Sequence, residues 1–248
     1  VLEVDCQAAG VLVCRSPGVV AGLDAALEAF RQLDPSVVVD VCHQDGEAVG
    51  AGAHVARLVG AGSALLTAER TALNLFGHLC GIATATRRLV DGAGTLQVAD
   101  TRKTTPLLRA LEKYAVRVGG GINGRFSLDD GMVIKANHVR LAGGVTIAVA
   151  SARRGGADVP VEVEVQSLPE VDEALAAGAS VLLMREPSLE ELGEAARRCE
   201  HRARIEVSGR FGPEALPGLA ACGADLVSIG WLIDSAPALD VSLELDRL

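Results

Sequence analysis

Aromatic side chains are scarce. One Trp, one Tyr and four Phe make up 2% of 248 residues. Proteins that bind nucleic acid by stacking need aromatic platforms and a basic field. This chain has neither, and its formal net charge is −9, so nucleic acid is not an expected partner. No apolar run reaches the ~18 residues of a membrane-spanning helix, so no membrane partner is expected. The start, VLEVDCQAAGVLVC, has no basic stretch ahead of its apolar part and does not read as a signal peptide. It opens in a strand-like pattern, and a further segment upstream is expected. The cysteines (Cys6, Cys14, Cys42, Cys80, Cys199, Cys222) form no C-x-x-C pair and no zinc-type spacing. They read as small buried hydrophobes in a reducing cytoplasm.

What is abundant is aliphatic. Hydrophobic residues are 49% of the chain, so the core is built from Val, Leu, Ile and Ala, which suit buried parallel strands covered by helices. The length allows two domains or one large barrel. Residues 1–68 read as an α+β domain. GVLVC, VVVDVC and AHVARLVG are strand-like, PGVVAGLDAALEAFRQLD is a helix starting near Pro17, and HQDGEAVGAG is a hairpin turn region. Residues 69–248 read differently. A long helical pattern starting at Thr67 contains Gly77 and Gly81, where a helix either breaks or packs tightly against a neighbour. Strand–helix units then repeat: LQVAD, GMVIK, PVEVEV, SVLLMR, ARIEVSG and LVSIG each read as a strand. The expected fold class is α/β: an incomplete, six- to seven-stranded β/α barrel plus a smaller N-terminal α+β domain, with the C-terminal tail packing on that domain.

Barrel chemistry sits at the C-terminal strand ends. Those ends carry Asp100, Thr101, Arg102 and Lys103; Lys135, Asn137 and His138; Glu162 and Glu164; Arg185 and Glu186; Ser208, Gly209 and Arg210; and Ser228, Ile229 and Gly230. The last two groups are small-residue loops of the kind that hold phosphate on backbone N–H groups. The stretch from Asp100 to Arg125 gathers Arg102, Lys103, Arg109, Lys113, Arg117 and Arg125. Spacing of i, i+4, i+8 for Arg109, Lys113 and Arg117 ordinarily marks a solvated helix face, but Gly119, Gly120 and Gly121 are more glycine than one helix end needs. His138 alone reads more readily as structural. Glu162 and Glu164 share one strand face, where unpaired charge is costly, so opposing Lys or Arg, or a metal, is required. The ligand of such a mouth is strongly anionic.

The strings ERTALNLFGHLCGIATATRR, DTRKTTPLLRALEKYAVRVGGGIN and MVIKANH resemble the signature segments of quinolinate phosphoribosyltransferases, and the likeness runs over nearly the whole chain. The resemblance implies transfer of phosphoribose from phosphoribosyl pyrophosphate to the ring nitrogen of quinolinate, followed by decarboxylation to nicotinate mononucleotide. It implies magnesium accompanying the pyrophosphate, and a cytoplasmic homodimer in which Arg70 reaches the partner's site. Carried over by position, it assigns Lys103, Lys135 and Glu164 to catalysis. Arg102 would bind substrate carboxylate and phosphate groups, and Arg125 a quinolinate carboxylate. Ser208, Gly209, Ser228 and Gly230 would hold the 5-phosphate. Asn137, His138, Arg185 and Arg210 complete the substrate-binding set.

Several positions depart from the family pattern. Gly124 stands where a His is usual, Ala136 and Arg185 where an Asp is, Arg210 where a Gly is, and Asp234 where a His is. The departures leave open a relative that uses another acceptor or sugar donor, or a non-catalytic ligand binder. Arg185 is expected to pair with Glu164 or Glu186, or to replace magnesium as counter-charge for pyrophosphate.

Overall fold

A computed structural model describes residues 6–155 and 159–248. The expected start of the first strand at residues 1–5 lies outside the described residues. Two compact units emerge, and they do not divide at residue 68. The first comprises residues 1–87, 105–120 and 232–248, the second residues 88–104 and 121–231. The chain enters the first unit three times because a helix and a tail strand, both distant in sequence, complete its core.

The first unit is built on β1 (Gln7–Cys14), β2 (Gly18–Val19), α1 (Leu23–Leu33), β3 (Val38–Val41), β4 (Ala48–Val49), β5 (Ala53–Ala61) and most of α2 (Gly62–Ala93). The segment near Pro17 is not helical as expected, because Gly18 and Val19 pair with Val49 and Ala48 in a small ribbon. Helix α1 begins after Gly22, which is left-handed with φ 75°. Its Leu23, Ala26, Leu27 and Phe30 recur at helical spacing and are buried in one core with Leu12, Cys14, Leu58 and Phe76. Each Leu or Phe among them contributes about 1.5–3 kcal/mol on burial. After β6 (Gln97–Ala99), the chain supplies α3 (Arg109–Val118) to this unit. Helix α3 buries Ala115 and Val116 with Leu79, Ile82 and Ala83 of α2.

Helix α2 is unbroken, which decides the question posed by its glycines. The carbonyl oxygen of Pro237 lies 2.2 Å from where a Cβ on Gly81 would stand, and Leu239 N–H donates to Gly77 O at 2.8 Å. The tail crosses the helix where side chains are absent. It then forms β12 (Val241–Arg247), which pairs antiparallel with β1. The sheet order is β12-β1-β5-β3.

The second unit contains β6, β7 (Met132–Ile134), α4 (Ala136–Ala142), α5 (Val145–Arg154), β8 (Val161–Val165), α6 (Leu168–Ala176), β9 (Val181–Arg185), α7 (Leu189–Cys199), β10 (Arg204–Ser208), α8 (Leu216–Ala221) and β11 (Leu226–Ser228). These six strands form one sheet, order β6-β11-β10-β9-β8-β7, with every ladder parallel. β6 and β7 stand at its two ends and do not pair, so the barrel is incomplete. Ile122 adds a single parallel bridge to Ala99 on β6. Helices α5 and α6 pack on β8, and Val161, Val163 and Val165 are buried while Glu162 and Glu164 are half-buried on the other face. Helix α4 was not expected. It follows β7 directly, is about two turns long and packs on α5.

Candidate active site

Strand register sets the inner face of the second unit in rows. The deepest joins Val133, Glu162, Val181 and Arg204. The next joins Glu164, Leu183, Glu206, Leu226 and Gln97. The row nearest the C-terminal mouth joins Arg185, Ser208, Ser228 and Ala99. Alternation puts all of these on one face, because residues two apart on a strand point the same way.

Charge is layered with depth. Burial and the Glu206 carboxylate push the Glu162 carboxyl up to about 7, while Arg125 and Lys135 pull it back. Burial also raises Glu206, offset by a hydrogen bond from the Ser228 hydroxyl and by the charges of Arg204 and Arg125. The opposing cations expected for Glu162 are therefore supplied by Arg125 and Lys135. Glu206 was missed in the sequence, although alternation in RIEVS places it on the same face as Ser208.

At the end of β6 the chain is folded back on Asp100, which is only 2% exposed. Its carboxylate accepts from Asn123 Nδ2 at 2.6 Å and from the Gly124 N–H at 2.8 Å. The carbonyl oxygen of Asp100 lies 2.8 Å from where a Cβ on Gly124 would stand. Gly124 is thus demanded by the closeness of two backbone segments. This clamp directs Arg125, whose Nη1 donates to Gly131 O at 2.9 Å.

The other expected residues are placed as follows. Arg102 is half-buried, and its Nε is buried with no hydrogen-bond partner among the described residues. Lys103 is exposed, its N–H bonded to Thr101 Oγ1 at 3.1 Å. Lys135 and Asn137 are exposed at the β7–α4 junction. His138 Nδ1 accepts from Lys135 N–H at 2.9 Å, a contact at the start of α4. Ser208, Gly209 and Gly230 are half-buried, Ser228 is buried, and Arg210 is exposed. Arg70 is exposed in the first unit, with Glu69 3.9 Å away.

Two expectations need correction. Arg185 forms no ion pair with Glu164 or Glu186 among the described residues. Glu164 is level with Leu183, one row deeper than Arg185, and Glu186, at φ 46°, turns its carboxylate to the Arg210 N–H at 3.4 Å. The cations of α3 also do not share one solvated face: Arg109 is half-buried, Lys113 buried and Arg117 exposed. Lys113 is buried at 2% exposure. Arg117 stands 6.0 Å over the Tyr114 ring.

The mouth row itself offers magnesium no carboxylate, and Glu164 and Glu162 lie one and two rows below Arg185. Among the described residues no group of three or more His, Cys, Asp or Glu side chains could hold a metal ion. Asp100 is committed to the clamp, Glu186 to a backbone N–H, and β9 ends in a guanidinium. A cavity of about 470 Å³ opens at the opposite, N-terminal strand ends beside Ser180, His201, Arg204 and Asp225. Two of its polar groups are already engaged: Asp225 accepts from Ile205 N–H at 2.8 Å and Arg204 donates to Gln97 at 2.6 Å. The C-terminal mouth is the candidate site.

The comparisons agree with this architecture. Residues 2–80 match the quinolinate phosphoribosyl transferase N-terminal domain, and residues 82–244 the C-terminal domain of the same family. Nicotinate-nucleotide pyrophosphorylase (carboxylating) of Mycobacterium leprae is 41% identical over 245 residues, covering 95% of this chain and 86% of that protein. The Bacillus subtilis protein named probable nicotinate-nucleotide pyrophosphorylase (carboxylating) is 39% identical over 246 residues, covering 98% of this chain and 84% of that protein. The crystal structure of NadC from Streptococcus pyogenes superposes with a TM-score of 0.93 at 40% identity, covering 98% of this chain and 87% of that one. The chain belongs to the quinolinate phosphoribosyltransferase family.

Proposed function

We propose that this chain is a pentosyltransferase that moves phosphoribose from phosphoribosyl pyrophosphate to quinolinate in NAD biosynthesis. The observation that carries the reading is the layering of the second unit: cations at the C-terminal strand ends above half-buried carboxylates. Both substrates are polyanions, and preorganised cations stabilise a departing pyrophosphate with little reorganisation. The quinolinate nitrogen forms a bond to the anomeric carbon as the bond to pyrophosphate breaks. The C–C bond to the adjacent carboxylate then breaks, carbon dioxide leaves, and the electron pair left on the ring carbon takes a proton.

We assign Arg125 to a substrate carboxylate, which its planar fork suits, and Arg102 to a second anionic group, which its unpartnered Nε favours. Lys103 and Lys135 are assigned to the charge that develops at the leaving group, Glu164 to the electron-poor sugar carbon, and Ser208, Gly209, Ser228 and Gly230 to the 5-phosphate. The functional unit in this reading is a homodimer that takes Arg70 from the partner.

The test is incubation with phosphoribosyl pyrophosphate and quinolinate, following pyrophosphate, carbon dioxide and mononucleotide. Release of all three supports the reading. A second reading, another pyridine-type acceptor, is favoured by the Gly124–Asp100 clamp, which leaves no room for a side chain at 124. Pyrophosphate release with another acceptor and none with quinolinate would select it.

A further inference from the structure

We propose that the phosphate groups of the ligand are held at the ends of β9 and β10 by the guanidinium groups of Arg185 and Arg210, with no divalent ion between phosphate and protein. The proposal rests on the reading of the mouth as a phosphoribosyl pyrophosphate site, and adds how that site neutralises its ligand.

Four observations carry it. Register places Arg185, Ser208 and Ser228 side by side in the row nearest the mouth, so the guanidinium rises beside two hydroxyls. Arg185 is exposed after three buried residues, Leu182, Leu183 and Met184, and has no ion-pair partner among the described residues. The acid adjacent to it is diverted: Glu186 accepts from the Arg210 N–H, and its own N–H donates to Ser208 O at 2.9 Å. Finally, Gly209 is covered by its neighbours. A Cβ there would lie 2.6 Å from the Phe211 ring and 2.7 Å from Glu186 Cγ. The loop after β10 is filled by its own chain, and the Arg210 side chain extends from it into solvent.

Magnesium is usually held by one or two carboxylates together with substrate phosphates. A mouth row that carries a guanidinium and no free carboxylate repels a second cation and offers phosphate a bidentate fork in its place.

The experiment is calorimetric titration of the whole protein with inorganic pyrophosphate and, separately, inorganic phosphate. Each titration is run in EDTA and in millimolar magnesium chloride. The expected result is pyrophosphate affinity that agrees within about threefold in the two buffers, and a loss of tenfold or more in EDTA for Arg185→Ala and for Arg210→Ala. Arg185→Lys should recover part of the loss, because it keeps charge and loses the fork. Unaltered circular dichroism and melting of the variants exclude unfolding as the cause.

Binding that vanishes in EDTA and returns with magnesium overturns the proposal, as does unchanged affinity in both alanine variants. Failure here is separable from failure of the proposed reaction. Turnover of quinolinate only with magnesium sinks the metal-free site and keeps the reaction. Metal-free pyrophosphate binding without turnover of any pyridine carboxylate keeps the site and sinks the reaction.

Discussion

Asp100 grips the backbone of Gly124, its carboxylate on the Gly124 N–H at 2.8 Å and its carbonyl oxygen 2.8 Å from the place of a Gly124 Cβ. A side chain at 124 must therefore push one backbone segment off another. Gly124→His, which puts back the residue usual in the resembling family, is expected to lower stability by about 1–3 kcal/mol, the cost of overpacking a filled site. Denaturant unfolding measures it. A variant as stable as the parent with higher quinolinate turnover would show that the clamp opens freely.

The opening of α2 toward the tail makes a second prediction. Gly81→Ala places a methyl 2.2 Å from Pro237 O, and backbone at such a distance must move. The expected outcome is a loss of several kcal/mol, even though alanine is the better helix former by about 1 kcal/mol. An increase in melting temperature would mean that the tail is displaced at no cost.

That crossing also shows what could be read in advance. Gly77 and Gly81 announced a close approach or a break, but the partner lies some 155 residues further along, so no local pattern could choose between them. The alternating units after β6 were legible because each buried strand and its helix carry their own periodicity. β12 was harder, since its partner β1 lies at the far end of the chain. Strand ends named Arg102, Lys135, Arg185 and Ser208 from position alone. Glu206 stayed hidden because its meaning depends on Glu162, two strands away. The Arg185–Glu164 pairing failed because register, which staggers strand ends by a row, is not written in any single strand.

The carboxyl of Glu162 gives a pH signature. An ordinary Glu ionises near 4.5, and in the fold Glu162 does so at about 7, chiefly through burial and then the Glu206 charge. Between these values the unfolded chain has lost a proton that the folded chain keeps. Its contribution to stability therefore falls as pH rises from about 4.5 to about 7, and is level above that. The groups that bear on it are Glu206, Glu164, Arg125 and Lys135. Glu162→Gln should flatten this part of the profile and be the more stable protein above pH 7, by an amount on the order of 1–3 kcal/mol. Equal slopes for parent and variant would assign the proton to another group.

Arg125 is tied to this pair by charge and to Gly131 by a hydrogen bond. Its loss should act twice. Arg125→Lys keeps charge and loses the bidentate fork, so KM for the pyridine dicarboxylate should rise about tenfold or more, with a smaller change in kcat. Arg125→Ala removes a cation that lowers both Glu162 and Glu206, so both carboxyls should titrate higher still. Carboxyl infrared bands read this directly. If the bands do not move in Arg125→Ala, the guanidinium lies too far from the pair to govern it.

The exposed Arg70 tests assembly. Its side chain is 77% accessible, with the half-buried Glu69 at 3.9 Å, and a pair with so exposed a partner adds little to stability. Arg70→Ala should therefore fold as the parent does and lose turnover if the guanidinium serves a site in the second copy. Arg102→Ala should lose turnover at the site of its own chain. A twofold dimer makes the two defects complementary. In a mixed dimer, one site receives both substitutions and the other receives neither. Random reassortment of equal amounts makes half of the dimers mixed, so about a quarter of all sites regain both arginines. Mixing two nearly inactive variants, with mild unfolding and refolding to exchange subunits, should recover turnover near that fraction. No recovery from a sample that mass spectrometry shows to contain mixed dimers would place Arg70 and Arg102 at the same site of the same chain, or outside the site altogether.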